Sequence, residues 1–94
     1  MPIQSFRHKG LKRLFEASNA RGLPANQVDK IKDVLAALDA AEAIEEMEVM
    51  PGWRLHALKG NLEGFWSVTI TGNWRLIFRF EDGDAFDLDL IDYH

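Results

Sequence analysis

The chain has 94 residues, a formal net charge of −4 and no cysteine. This length predicts one domain with a single core, and the absence of cysteine excludes disulfides and thiolate metal ligands. No apolar run approaches the roughly 18 residues of a membrane span, and the first ten residues lack the apolar core of a signal peptide. We therefore expect one domain over residues 1–94, in the cytoplasm and without a membrane partner.

The charge is unevenly distributed. The total is acidic, which is the wrong sign for binding nucleic acid by bulk electrostatics. Residues 1–13, however, contain four basic residues and no acidic one, and residues 53–79 contain four basic residues and one acidic residue. A nucleic-acid surface is therefore possible only where folding gathers the basic residues.

The first half of the chain has helical periodicity. Leu11, Leu14 and Phe15 recur at helical spacing, and the pattern ends near residues 19–22, where Asn and Gly favour a C-terminal cap. A second helix is predicted from Pro24 to about residue 41, because its apolar residues form one stripe. That stripe consists of Val28, Ile31, Val34, Leu35 and Leu38.

From residue 53 onward the period changes to two, which is typical of strands. Three strands are predicted around residues 53–58, 66–71 and 74–80, and a fourth follows with Phe86, Leu88 and Leu90. Gly72-Asn73 and Asp82-Gly83 are predicted hairpin turns. Residues 3–6 are a candidate short N-terminal strand. We therefore expect an α+β fold, with two N-terminal helices on one face of a small antiparallel sheet of four or five strands.

The alternation assigns the strand residues to two faces. The first face must be covered, and the two helices are the available cover; it carries Trp53, Trp66, Trp74, Phe78 and Leu88. The second face is expected to be open to water. It displays Arg54, His56, Thr69, Arg75, Arg79 and Tyr93.

Histidine exchanges protons near neutral pH, so His56 and His94 are candidates for general acid and base chemistry. This requires the first strand to meet the C-terminus, where Asp92 and Tyr93 precede His94. An exposed histidine without a role is the alternative. A metal site is not predicted, because a set of His56, Asp92 and His94 leaves no obvious outer ligand shell.

The basic residues of the second half are candidates for binding phosphate, because the planar guanidinium donates two hydrogen bonds at once. They are Arg54, Lys59, Arg75 and Arg79. Solvated strand residues are the alternative interpretation.

Several blocks of the sequence together resemble the HigB-like toxins of bacterial toxin-antitoxin systems, in the RelE/ParE superfamily. The blocks are SFRHKGLKRLFE, LDAA, PGWRLHALKG, GFWSVTITGNWRLIFRFEDGDA and the terminal DYH. The resemblance covers nearly the whole chain, and the blocks occur in the same order.

The resemblance implies an α+β fold and metal-independent, cofactor-free cleavage of messenger RNA in the ribosomal A site. It also implies a HigA-like helix-turn-helix antitoxin, which neutralises the toxin and connects it to operator DNA. By block, the resemblance assigns functional roles to His56, Asp92, Tyr93 and His94, with Lys59 and Arg75 as cations. It does not assign which histidine is the base and which the acid.

Two other functions remain open within the same resemblance. The ParE branch poisons DNA gyrase and does not need this set of ionisable residues. A catalytically silent chain that only binds the antitoxin is the third possibility.

Overall fold

The computed structural model describes residues 1–92. Helices span Lys9–Ala17 (α1), Val28–Ala40 (α2) and Glu45–Glu48 (α3). Strands span His56–Ala57 (β1), Phe65–Thr71 (β2), Trp74–Glu81 (β3) and Asp84–Asp92 (β4). Single 3₁₀ turns lie at Ala25–Gln27 and Gly60–Leu62.

The four strands form one antiparallel sheet in the order β1-β2-β3-β4. The predicted hairpin turns at Gly72-Asn73 and Asp82-Gly83 join β2 to β3 and β3 to β4. Asp82 and Gly83 both have positive φ, of 50° and 84°, as a tight turn between right-twisted strands requires. The predicted α+β fold is confirmed.

The N-terminal segment lies along the outer edge of β4. Ile3 and Phe6 form parallel bridges to Ala85 and Leu88, so the candidate strand at residues 3–6 is present as two isolated bridges. This segment covers hydrogen-bonding groups of β4 that would otherwise form an open edge.

The helices cover one face of the sheet, as the alternation predicts. Leu11 and Leu14 of α1 are buried in one core with four residues of α2 and with the inward residues of the strands. Val68, Leu76, Phe78 and Leu88 are at 0% exposure there. Within residues 1–92, no helix is both long enough and apolar enough to cross a membrane.

The second face is only partly open, which corrects the expectation that it is left to water. Leu58, Phe65 and Ile77 are buried on it, with Leu62 and Ile91 packed against them. The Arg7 guanidinium lies 4.8 Å from the centre of the Phe65 ring. The 3₁₀ turn and the N-terminal segment therefore cover part of this face, which strand alternation alone does not reveal.

A bulge in β4 changes the predicted alternation there. The register between β3 and β4 shifts between Ile77 and Arg79, and Asp87 has a positive φ of 56°. Ala85 is consequently buried in the main core with Leu88, whereas Phe86 lies opposite Arg79. One extra residue in a strand places the side chains of the preceding residues on the opposite face of the sheet from the one that regular alternation predicts.

Two further elements differ from the sequence-based expectation. Strand β1 has two residues where about six were predicted, because Arg54 has φ 50° and interrupts the extended backbone. The short helix α3 was not predicted. It buries Met47 and exposes its glutamates.

Helix α1 begins with an uncommon cap. The His8 Nδ1 atom accepts hydrogen bonds from the backbone N–H groups of Gly10 at 3.0 Å and Leu11 at 3.3 Å. Without this acceptor, two of the first helical N–H groups would lack a protein partner.

We expect His8→Ala to lower the free energy of unfolding by about 1 kcal/mol, because loss of a side-chain cap costs about that much. His8→Asn, which supplies another capping oxygen, should retain most of the stability. Urea unfolding followed by circular dichroism measures both variants. Equal stability of His8→Ala and wild type would show that the cap contributes nothing.

Candidate active site

A concave cleft of about 250 Å³ opens on the second face of the sheet, beside the buried cluster of that face. Its lining comes from the segment before β1, from β1 itself, and from β2 and β3. The lining residues are Arg54, His56, Leu58, Ser67, Thr69 and Arg75. The structure thus brings together three of the predicted site residues, namely Arg54, His56 and Arg75.

His56 is the first residue of β1 and lines the cleft. It is paired with Ser67 of β2, and its side chain is exposed. Within residues 1–92 the imidazole makes no hydrogen bond or ion pair. Both ring nitrogens are therefore available to an incoming group.

Arg75 lies on the opposite side of the cleft, at the start of β3. Its neighbours in the sheet are Thr69 of β2 and Ile91 of β4. Its Nη1 atom donates to the carbonyl oxygens of Gly72, at 2.7 Å, and Trp74, at 3.1 Å. The turn carbonyls hold one edge of the guanidinium, and the other nitrogens can still donate to a ligand.

Arg54 occupies a strained backbone position next to the cleft. Its φ of 50° lies in the left-handed region, which costs an L-residue about 1–2 kcal/mol. Its neighbours explain how this conformation persists: Trp53 is buried in the main core, and the Trp53 carbonyl accepts from the Thr69 N–H at 2.7 Å. Strained positions that the surrounding structure maintains often occur at functional sites.

Arg79 does not line the cleft. Its Nε donates to the Asp87 carboxylate at 2.9 Å, and its Nη1 lies 3.5 Å from Glu81. The Ser5 hydroxyl accepts from the Asp87 N–H at 2.8 Å, which links this ion pair to the N-terminal segment. The contacts of Arg79 indicate a structural role at the bulge.

The other predicted site residues either do not line the cleft or lie outside the described residues. Lys59 is exposed just after β1 and does not line the cleft. Asp92 ends β4 opposite Trp74, one position past Ile91, which is opposite Arg75. Tyr93 and His94 lie outside the described residues.

Three lining residues were not identified from the sequence as site residues: Leu58, Ser67 and Thr69. Leu58 is the buried apolar residue of the lining, whereas Ser67 and Thr69, on β2 between β1 and β3, form its polar floor. Strand alternation could have indicated Ser67 and Thr69, because residues 67 and 69 alternate with the core residues Val68 and Ile70 and therefore lie on the cleft face.

Comparison with known proteins identifies similar chains. Residues 4–94 match the family model described as HigB-like toxin, the RelE-like toxin of the type II toxin-antitoxin system HigB. The chain is 50% identical over 92 residues to "Endoribonuclease HigB" of Proteus vulgaris, covering 98% of this chain and 99% of that protein. It is 34% identical over 83 residues to "Toxin HigB-1" of Vibrio cholerae, covering 87% of each.

Among solved structures, the fold is similar to a chain of the YoeB-YefM toxin-antitoxin complex of Staphylococcus aureus. The TM-score is 0.61 at 22% sequence identity, over 100% of this chain and 97% of that one. At this identity the likeness concerns the fold alone.

We expect Arg54→Gly to raise the free energy of unfolding by up to about 1 kcal/mol, because glycine adopts positive φ without steric cost. Ser18→Gly is the matched control, since Ser18 has φ 54° at the end of α1, away from the cleft. Both variants should be more stable in urea, but only Arg54→Gly should lose affinity for single-stranded RNA. Equal RNA affinity in both would remove Arg54 from the binding surface.

The different surroundings of Arg75 and Arg79 lead to a second prediction. Arg75→Gln should weaken binding of a short single-stranded RNA about tenfold and reduce the salt slope by about 0.7, which corresponds to one phosphate contact. Arg79→Gln should change affinity less than twofold, because its guanidinium is engaged by carboxylates. Fluorescence anisotropy at several salt concentrations measures both. A larger loss in Arg79→Gln would contradict the assignment.

Proposed function

This chain belongs to the HigB-like toxins, the RelE-like toxins of type II toxin-antitoxin systems, and we propose that it is a ribosome-dependent endoribonuclease cleaving messenger RNA. The observation that carries the proposal is the 50% identity, over nearly the whole chain, to a protein named as an endoribonuclease. The cleft supports it, since an imidazole and two guanidinium groups converge there on a concave surface.

The proposed reaction requires no metal or cofactor. A base removes the proton of the 2′-hydroxyl, and the resulting oxyanion attacks the adjacent phosphorus. The bond from phosphorus to the 5′-oxygen breaks, and an acid protonates that oxygen. The products are a 2′,3′-cyclic phosphate and a 5′-hydroxyl, so the reaction needs one proton acceptor, one proton donor and cations near the phosphoryl oxygens.

In the proposed mechanism, two histidines transfer the protons and three basic residues provide the cations. His56 transfers one of the two protons, and His94 transfers the other. Arg54 and Arg75 offset the charge that develops on the phosphoryl oxygens, and Lys59 contributes from outside the cleft lining. The exposure and unpaired nitrogens of His56 suit this role.

Asp92 and Tyr93 complete the proposed site. Asp92 would orient an imidazole, and Tyr93 would stack on a base of the substrate. In support, β4 ends beside the start of β3, with Ile91 directly opposite Arg75 and Asp92 opposite Trp74.

Ribosome docking in this proposal depends on local charge. The net charge of −4 does not favour binding to RNA. Among residues 1–92, however, Arg54 and Arg75 in the cleft have no carboxylate partner, whereas Arg79, outside the cleft, has two. The unneutralised guanidinium groups therefore face the substrate. Action on the ribosome places the protein in the cytoplasm.

As a member of a type II toxin-antitoxin family, the chain has an antitoxin as its partner. We propose that the antitoxin is a HigA-like helix-turn-helix protein that also binds operator DNA. The helical layer is the candidate contact surface, since it lies on the face of the sheet away from the cleft.

We expect His56→Gln to lower the rate of messenger cleavage by about 10²- to 10⁴-fold, the usual contribution of a proton-transferring side chain. A purified translation system with primer extension on the messenger measures the rate. His8→Asn is the matched control, because it removes an imidazole outside the cleft and keeps a helix cap. The thermal midpoints of both variants should be close to that of wild type.

Other outcomes would support the alternatives. Wild-type protein that damages DNA through gyrase without cutting RNA would indicate a ParE-like function. Wild-type protein that neither arrests growth nor cuts RNA, yet binds its antitoxin, would indicate a silent partner. Undiminished cleavage by His56→Gln would leave the endoribonuclease assignment intact and remove His56 from the mechanism.

A further inference from the structure

The floor of the cleft contains a hydroxyl group that the reaction described above does not use. Ser67 is central in β2 and is paired with His56 on one side and with Ile77 on the other. Two residues along the same strand, Thr69 is paired with Arg75. Ser67 therefore lies between the imidazole and the guanidinium across the sheet.

Burial distinguishes Ser67 from an ordinary surface serine. Among residues 1–92 it is one of two buried polar residues, at 5% exposure, yet it lines the cleft. Its neighbours on this face include Leu58 and Ile77, which are 7% and 1% exposed. These apolar neighbours hold the Ser67 side chain on one side, while its other side faces the polar lining of the cleft.

The hydroxyl also has no protein partner in the part of the chain that the structure describes. Within residues 1–92, Ser67 makes no side-chain hydrogen bond. Among the described residues, Gln27 Oε1 is the buried side-chain polar atom without a partner, so the Ser67 oxygen itself is reached by solvent from the cleft. A hydroxyl that has no protein partner there and opens onto a cleft can donate to a ligand.

We propose that the Ser67 hydroxyl is a substrate contact, donating a hydrogen bond to a non-bridging oxygen of a phosphate seated between His56 and Arg75. Facing side chains on paired strands have Cβ atoms about 4.5–5.5 Å apart, so one phosphate group can contact both Ser67 and His56. Arg75 reaches the same group from the next strand. The identification of this phosphate as that of RNA rests on the proposed function.

The contact would position the phosphate and take no part in proton transfer. A short donor on a central strand moves little, whereas Arg54 and Arg75 have long side chains. Ser67 would therefore set the depth and orientation of the phosphate against the imidazole, and the arginines would supply the charge.

The first test measures binding in the free protein and needs neither ribosome nor cleavage. Adenosine 3′-monophosphate is titrated into ¹⁵N-labelled protein, and adenosine without phosphate is titrated in parallel. We expect Ser67→Ala to weaken nucleotide binding about tenfold, since hydrogen bonds to charged groups are strong, and to leave adenosine binding unchanged. Thr71→Val, which removes a hydroxyl from the same strand outside the cleft lining, should match wild type within twofold.

The second test measures messenger cleavage in the translation system. Ser67→Ala should lower kcat/KM about tenfold, and Ser67→Thr, which retains the hydroxyl, should restore it to within about threefold of wild type. A Ser67→Ala variant that binds the nucleotide as tightly as wild type overturns the inference. An equal loss of affinity for adenosine also overturns it, because this would indicate a packing effect.

The two tests separate the inference from the proposed function. If wild type cuts no messenger but Ser67→Ala loses affinity for the nucleotide specifically, the phosphate contact stands and the endoribonuclease assignment fails. If wild type cuts and Ser67→Ala is indistinguishable from it in both tests, the assignment stands and the contact fails.

Discussion

The pairing of β2 with its two neighbours is the constraint on which the rest of the structure depends. Residues on one side of this strand, such as Val68 and Ile70, enter the core under the helices, while Ser67 and Thr69 form the floor of the cleft. Because paired residues share a face, the register also determines that His56 and Arg75 line the cleft on either side of this floor. A slip of one residue would bury the cleft residues and expose the core.

Other parts of the molecule maintain the conformations of the two arginines that line the cleft. Arg54 remains in the left-handed region while the Trp53 ring is buried and its carbonyl is bonded to β2. Arg75 is directed by two carbonyl oxygens of the adjacent turn region. Both arginines are thus positioned by backbone contacts, and neither has a carboxylate partner among residues 1–92. In the proposed function, the phosphate of the substrate offsets their charge.

Arg75 and Arg79 lie on the same strand but have different surroundings, so the number of basic residues on a face does not by itself indicate a binding site. Arg79 has the parity of Arg75, but the bulge at Asp87 brings a carboxylate to 2.9 Å from its Nε. The same residue type on the same strand therefore stabilises the β4 edge in one place and faces a cleft in the other. The bulge also anchors Ser5 of the N-terminal segment.

Much of this architecture follows from local patterns that act over a few residues. Periods of 3.6 and two residues are enough to predict α1, α2 and strands β2 to β4, and turn chemistry is enough to locate both hairpins. The blocks that resemble the toxin family contain His56 and Arg75, to which the resemblance assigns functional roles. By contrast, β1 was predicted too long, since nothing in the local sequence shows that Arg54 takes a positive φ.

The sequence by itself determined which residues can share a face, because alternation is a property of the extended backbone. Only the tertiary structure decided what each face contacts. The covering of Phe65 by Arg7 depends on a segment that is distant in the chain. The Asp87 carboxylate reaches Arg79, and the Ser67 hydroxyl faces the cleft, through the pairing of neighbouring strands. Such contacts arise from strand register and from the bulge at Asp87, which are set by the packing of the whole domain and leave no local periodic signal.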